Sequence, residues 1–300
     1  MKNLLFRIIL IIKQKMFRVA VLQIKTIADK AMNIAGAQRL VEKAVSNKAE
    51  ICVLPEMWNC PFDNEYFQKL CEEPYGETYK YMETLAKTHG VYLVGGSIPI
   101  KENGKIWNTN YTFDPEGKLI NTYRKCHLFD IDVPGQITTK ESDVIGFGTH
   151  ISTFNTKWCK IGLGICYDIR FPLQAQIMRD RGAKVMIYPA AFSQVTGPVH
   201  FEVSARARAI DNQCFFIISA PARNTDDPKL YQSYGNSLIV NPNGCVVSRA
   251  EQDETILYYD VDLGKVDKQR QMFPFEQQAR TDLYKLQDLK GEGFPEQQHN

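Results

Sequence analysis

At 300 residues, with 44% hydrophobic, 23% charged and 11% aromatic side chains, the chain has the composition of a globular protein; disorder, a collagen repeat and a pure coiled coil are excluded. The formal charge of +2 comes from 36 basic and 34 acidic side chains, and four of the basic ones (Lys2, Arg7, Lys13 and Lys15) lie in the opening segment. Without them the balance is 32 against 34, so no basic stripe for a phosphate backbone survives and nucleic-acid binding is not expected.

The opening MKNLLFRIILIIKQKM is apolar and free of acid, but Arg7 interrupts the run, and Lys13 and Lys15 close it short of a bilayer span. It lacks both the small-residue cleavage site of a secretory signal and the Ser enrichment of an organellar presequence. Residues 1–16 therefore read as a leader or an upstream-start extension outside the fold. From Phe17, FRVAVLQI reads as a buried strand, and Ile34, Ala37, Val41, Ala44 and Val45 then recur on one face of a helix. ICVLPE is a second strand. A helix from Tyr79 to His89, with Tyr81, Leu85 and Ala86 on one side, leads into the β-rich VYLVGGSIPI. This alternation is a layered α/β signature.

The middle reads differently. NTNYTFDPEGKLINTYRK holds a DPEG turn between two β-rich runs, and HISTFNTKWCKIGLGICYD reads as another strand pair, so antiparallel pairing is expected. A helix from Pro172 to Arg181, the strand KVMIYPAAF, a helix from His200 to Asp211 and the strand CFFIISAP follow. In the second helix Val203, Ala207 and Ile210 are expected to face inward. The pattern finishes with a hairpin around NPNG and the strand ILYYDVDL. No linker or repeat divides the chain. One domain is expected over 17–286, built as two sheets packed face to face under two helical layers, with 287–300 as a loose polar tail.

The eight cysteines form no Cys-x-x-Cys pair and several lie in apolar runs, so reduced intracellular thiols are expected. The five histidines are too scattered for a zinc site. Three reactive side chains share one position type: Glu56 ends ICVLPE, Lys125 ends LINTYRK and Cys166 ends KIGLGIC. Ligands bind beyond the carboxyl ends of strands in open α/β sheets, so the three could converge on one pocket. Taken singly, each has a plainer reading, as a core thiol, a capping carboxylate and a surface cation. Jointly they supply a nucleophile, a cation that favours its thiolate and a carboxylate that moves protons. His127 and His200 do not fit a Cys/His dyad by spacing and read as structural. Gly162 and Gly164 read as close-packing positions rather than a phosphate loop. Arg170, four residues past Cys166, is placed to clamp an anionic substrate or to form a structural ion pair.

At these residues the sequence resembles the nitrilase superfamily, whose members carry a Glu, Lys, Cys triad on a single-domain αββα sandwich. The matching segments are VLPEMWNCP, YRKCHLFDIDVPGQITTKES, GLGICYDIRFP, YPAAFSQVTGPVH, RARAIDNQCFF and SYGNSLIVNPNG, spread from Phe17 to Tyr284. Within the superfamily FDIDVPGQIT is similar to the omega-amidases, which hydrolyse 2-oxoglutaramate and 2-oxosuccinamate; the deaminated-glutathione amidases share the triad and the TGP segment. The resemblance implies Cys166 as nucleophile, Glu56 as general base, and Lys125 with the backbone N–H of Tyr167 as oxyanion site. It implies Glu141 as an additional carboxylate, and Arg170, Phe192 and Thr196 as contacts of the keto acid. No cofactor or metal is implied. A small 2-oxo acid amide and a second copy of the chain are the partners it implies, with no nucleic acid and no membrane, in the cytoplasm and, if the leader acts as a presequence, also in mitochondria. Cys126, Leu173, Phe201 and Asn243 depart from the pattern, and Leu173 removes a carboxylate expected near the site entrance. The competing readings are an enzyme of the same superfamily acting on deaminated glutathione, a carbamoyl amine or a nitrile, then a catalytically silent interaction protein on the same scaffold, and last a Cys/His protease.

Overall fold

The computed structural model describes residues 16–135 and 137–291. Apart from Met16, the expected leader lies outside the described residues, as does the tail beyond residue 291. In chain order, β1 (Met16–Gln23), α1 (Lys30–Ser46), β2 (Ile51–Val53), α2 (Asn64–Leu70), α3 (Glu77–His89) and β3 (Tyr92–Val94) come first. Next are β4 (Ile98–Glu102), β5 (Lys105–Phe113), β6 (Leu119–Arg124) and the separate hairpin of β7 (Asp130–Val133) with β8 (Ile137–Lys140). The second half holds β9 (Ser152–Asn155), β10 (Lys160–Leu163), α4 (Pro172–Asp180), β11 (Val185–Pro189), α5 (Gly197–Asn212) and β12 (Phe215–Ser219). It closes with β13 (Leu238–Val240), β14 (Val246–Arg249), β15 (Thr255–Asp262), α6 (Leu263–Met272) and α7 (Phe275–Gln278).

Two sheets result. The seven-stranded one runs β15-β1-β2-β3-β5-β4, with β6 also on β5, and its β1, β2 and β3 are parallel. The six-stranded one runs β14-β13-β12-β11-β10-β9, with β10, β11 and β12 parallel. Strand alternation sets the layers. In β1 and β2, Val19, Val21, Ile51 and Val53 share a core with Ile161, Leu163 and Ile217 of the other sheet. Their neighbours Ala20, Leu22, Cys52 and Leu54 instead pack with Ile34, Ala37, Val41 and Ala44 of α1 and Met82, Leu85 and Ala86 of α3. Ala175, Met178, Phe201, Ala205 and Ala209 place α4 and α5 on the far side of the second sheet. The outcome is a four-layer αββα sandwich in which Ser219 Oγ bridges the sheets, 3.2 Å from Leu22 O and 3.3 Å from Val53 O. Among the described residues no helix is long and apolar enough to cross a membrane.

Four expectations are corrected. The buried face of α5 is Phe201, Ala205, Ala209 and Asn212, whereas Val203 and Ile210 are exposed and Ala207 is half-buried. Phe201 anchors the helix and the two alanines let it approach the sheet, so the larger aliphatics point outward. In α3, Tyr81 is only half-buried, and Tyr79, Met82, Leu85 and Ala86 make the inner face. The helices α2 and α6 escape periodicity because they bury few side chains, Phe67 in the first and Leu263 and Val266 in the second. Their caps were the available signal: the Asp63 and Asp262 side chains accept from Glu65 N and Gly264 N. Finally, residues 287–291 are not loose, because Arg181 donates to Asp288 Oδ2 at 2.8 Å and to Gly291 O at 2.6 Å.

Candidate active site

Glu56 stands just past the end of β2, Lys125 directly follows β6, and Cys166 comes after β10. The first two belong to one sheet and the third to the other, so the sandwich brings them together at strand ends. Cys166 opens a short 3-10 turn, Cys166–Arg170, with φ at 44°, a left-handed backbone in which a non-glycine side chain is strained. The approach to that turn is tight. A Cβ on Gly164 would lie 2.3 Å from the Tyr188 ring and one on Gly162 would lie 2.8 Å from Met178 Sδ, which accounts for both glycines as packing positions.

Lys125 is fully buried between two carboxylates, with Nζ 2.9 Å from Glu56 Oε1 and 2.8 Å from Glu141 Oε2. Glu141 reaches this point from the turn after β8, and the backbone N–H of Phe129 donates to the same Oε2 at 2.7 Å. Asn108 on β5 donates to Glu56 Oε1 at 2.9 Å and to Glu141 Oε1 at 3.3 Å. The second oxygen of Glu56 accepts from the backbone N–H of Ala191 at 2.8 Å. Both carboxylates thus accept from directed donors, and the ammonium donates to both, as burial of ions requires.

Burial pulls the Lys125 ammonium down, but Glu141 and Glu56 outweigh it and hold its pKa well above the ordinary lysine range. Burial pushes the Glu56 carboxyl up, against the opposing pull of Lys125. Burial, and then the charge of Glu56, push the Cys166 thiol well above its ordinary value, with Lys125 opposing. The ammonium is thus favoured by its two carboxylates, while burial favours the protonated forms of the thiol and of Glu56. A thiol and a carboxyl in this relation can exchange a proton.

Around this centre, Phe62 lies 5.9 Å from Lys125 Nζ and packs on Tyr231, whose hydroxyl donates to Ala191 O at 2.8 Å. Tyr167 sits in the Cys166 turn, edge-on to Phe129. Arg170 stands 5.5 Å from the rings of both Tyr167 and Phe192, and its terminal nitrogen lies 3.2 Å from His200 Nδ1. Its Nε is buried without a partner. Thr196 immediately precedes α5 without a side-chain capping bond, its Oγ1 lying 3.2 Å from Ser193 Oγ. Neither histidine forms a dyad with the thiol: His127 Nδ1 is 2.7 Å from Asp168 Oδ1 and its ring stacks on Phe171, while His200 sits against Arg170.

Leu173 is 57% exposed and lines a groove with Cys126, His150, Ile177 and the 286–290 segment, a lining that includes none of Glu56, Lys125 and Cys166. Sequence reasoning does not single out Asn108 or Asp168. Polar residues on an otherwise buried strand, Asn108 and Asn110 in β5, were the signal for the first.

A layered α/β sandwich that brings a thiol, an ammonium and a carboxyl together at its strand ends has the groups that covalent hydrolysis through a thiol requires. The family described as carbon-nitrogen hydrolase matches residues 18–271, and the chain belongs to that family. It is 44% identical over 274 residues to omega-amidase NIT2 of Mus musculus, covering 91% of this chain and 99% of that one. It is 43% identical to the Homo sapiens omega-amidase NIT2 over the same shares. Among solved structures, Nit3 of Saccharomyces cerevisiae, described as a member of branch 10 of the nitrilase superfamily, superposes with a TM-score of 0.81 at 36% identity, covering 89% of this chain and 97% of that one.

Proposed function

We propose that this protein is an omega-amidase, hydrolysing the terminal amide of 2-oxoglutaramate and 2-oxosuccinamate to the dicarboxylate and ammonia through a thioester on Cys166. The observation that carries the reading is the buried Lys125, held between Glu56 and Glu141 beside the Cys166 turn, in a chain 44% identical to an omega-amidase.

Glu56 takes the proton of the Cys166 thiol as the sulfur attacks the amide carbon, and the carbonyl oxygen becomes an oxyanion. Lys125 Nζ and the Tyr167 N–H stabilise that oxygen; the first N–H groups of a helical turn have no acceptor of their own. Glu56 returns its proton to the departing nitrogen, which leaves as ammonia. Water then loses a proton to Glu56 and attacks the thioester; Glu56 returns that proton to the departing sulfur, restoring the thiol, and the carboxylic acid product gives up its own proton to the released ammonia or to solvent. Glu141 and Asn108 keep Lys125 and Glu56 in place throughout.

Arg170 is assigned to the substrate carboxylate. Its guanidinium has no acidic partner among the described residues, and the rings of Tyr167 and Phe192 flank it. We assign the exposed stripe of α5, Val199, Val203 and Ile210, to a homodimer contact, since helical spacing puts all three on one face. The function is tested by ammonia release from 2-oxoglutaramate with wild type and Cys166→Ala. Turnover in the first and none in the folded second supports it. Turnover retained in Cys166→Ala removes the nucleophile, and a wild type active only on deaminated glutathione removes the substrate.

A further inference from the structure

Asp168 is completely buried two residues past Cys166, and its carboxylate is a meeting point for both halves of the site. Oδ2 accepts from the Tyr123 hydroxyl at 2.7 Å and from Ile165 N at 2.9 Å. Oδ1 accepts from His127 N at 3.0 Å and stands 2.7 Å from His127 Nδ1. Tyr123 and His127 each lie two positions from Lys125, one on either side, while Ile165 immediately precedes Cys166. One carboxylate thus ties the backbone that carries the lysine to the strained turn that carries the thiol. Tyr123 is itself held, accepting from Gln174 Nε2 of α4 at 2.8 Å.

The connection matters because Lys125 and Cys166 come from different sheets, whose shared core is mostly apolar and is bridged elsewhere by Ser219 and by Glu56 with Ala191. An oxyanion donor must sit within a few tenths of an ångström of its working place to be effective. Ordinary packing does not provide that restraint, whereas buried hydrogen bonds at both flanks of Lys125 do.

We propose that Asp168 is a positioning residue that fixes the separation of Lys125 from Cys166, touching neither substrate nor the reacting atoms. The inference rests on the amidase reading for its kinetic consequence, but its geometric content is independent of the substrate. Asp168→Asn keeps the shape while replacing one acceptor oxygen by an NH2 donor, which confronts the N–H groups of His127 or Ile165.

The test is the pH dependence of Cys166 alkylation by iodoacetamide, followed by peptide mass in wild type, Asp168→Asn and Tyr123→Phe. Lys125 favours the thiolate, so loosening it is expected to move the alkylation midpoint to higher pH and slow labelling at neutral pH about tenfold in Asp168→Asn. Tyr123→Phe removes one donor and is expected to move the midpoint the same way by less, which keeps the test open if the Asn variant folds poorly. In turnover, kcat per alkylatable site is expected to fall about 10²-fold with KM within about threefold. Midpoints at the wild-type pH in both variants would overturn the proposal, since a merely structural aspartate changes the amount of folded protein and not the ionisation of its thiol. Absence of amide turnover in wild type is a separate result that touches the function and leaves the alkylation readout intact.

Discussion

Lys125 Nζ stands 2.9 Å from Glu56 Oε1 with neither side chain reaching solvent. The pair closes into a trio with Glu141, so the lysine is the sole cation for two buried carboxylates among the described residues. Removing it leaves uncompensated charge rather than a cavity. Lys125→Met is therefore expected to abolish turnover and also to destabilise the fold by about 3–5 kcal/mol. Urea denaturation checks this, and a midpoint equal to that of wild type would show that the trio is not held as described.

Glu56 sets the pH behaviour. Burial raises its folded pKa above the ordinary carboxylate value, so the folded protein holds this proton more tightly than the unfolded chain. Two consequences have the same sign. Stability from this group is fully present below the unfolded pKa and is lost as pH rises through the folded one, so Glu56→Gln is expected to gain melting temperature relative to wild type with increasing pH. Activity needs the deprotonated form, so the acid limb of kcat/KM is expected above the ordinary carboxylate range. An acid limb at or below that range contradicts the assignment of Glu56 as base.

Arg170 separates binding from chemistry. A charge-assisted contact to a substrate carboxylate contributes about 1.5–3 kcal/mol, which corresponds to roughly a 10- to 100-fold change in KM. Arg170→Ala is expected to raise KM for 2-oxoglutaramate by that factor, with a change below about threefold for a neutral amide of similar size. Equal changes on both substrates would assign the arginine to the fold.

The outer face of α5 carries the oligomer prediction. Val203 is 58% exposed and Ile210 is 43% exposed, on the face that Phe201 does not use. Val203→Asp with Ile210→Asp is expected to convert a dimer to a monomer in light scattering without changing the folded secondary structure. A wild-type monomer at micromolar concentration would refute the assignment.

How much of this could be read in advance differs by element. Strands such as FRVAVLQI and CFFIISAP, and the face of α1, were legible because burial on a fixed period writes itself into apolar spacing. The positions of Glu56, Lys125 and Cys166 at strand ends were legible for the same reason. The inner face of α5 was not, because apolar residues occupy both sides of that helix and only packing against β12 and β13 chooses between them. Nor was the Asp168 contact with Tyr123 and His127, which spans 45 and 41 positions and leaves no local periodic trace. The eight cysteines look alike in the sequence; what separates Cys166 from Cys52 and Cys214 is a strained turn beside Lys125, a property of the assembled sheets.

The most direct measurement is the mass of Cys166 during turnover. Protein mixed with 2-oxoglutaramate, quenched in acid within the first turnovers and digested, is predicted to carry the acyl group of the substrate on the Cys166 peptide and on no other cysteine. The label is predicted to disappear as ammonia release reaches completion. Ammonia release at full rate with an unmodified Cys166, or equal release by Cys166→Ala, would contradict the account.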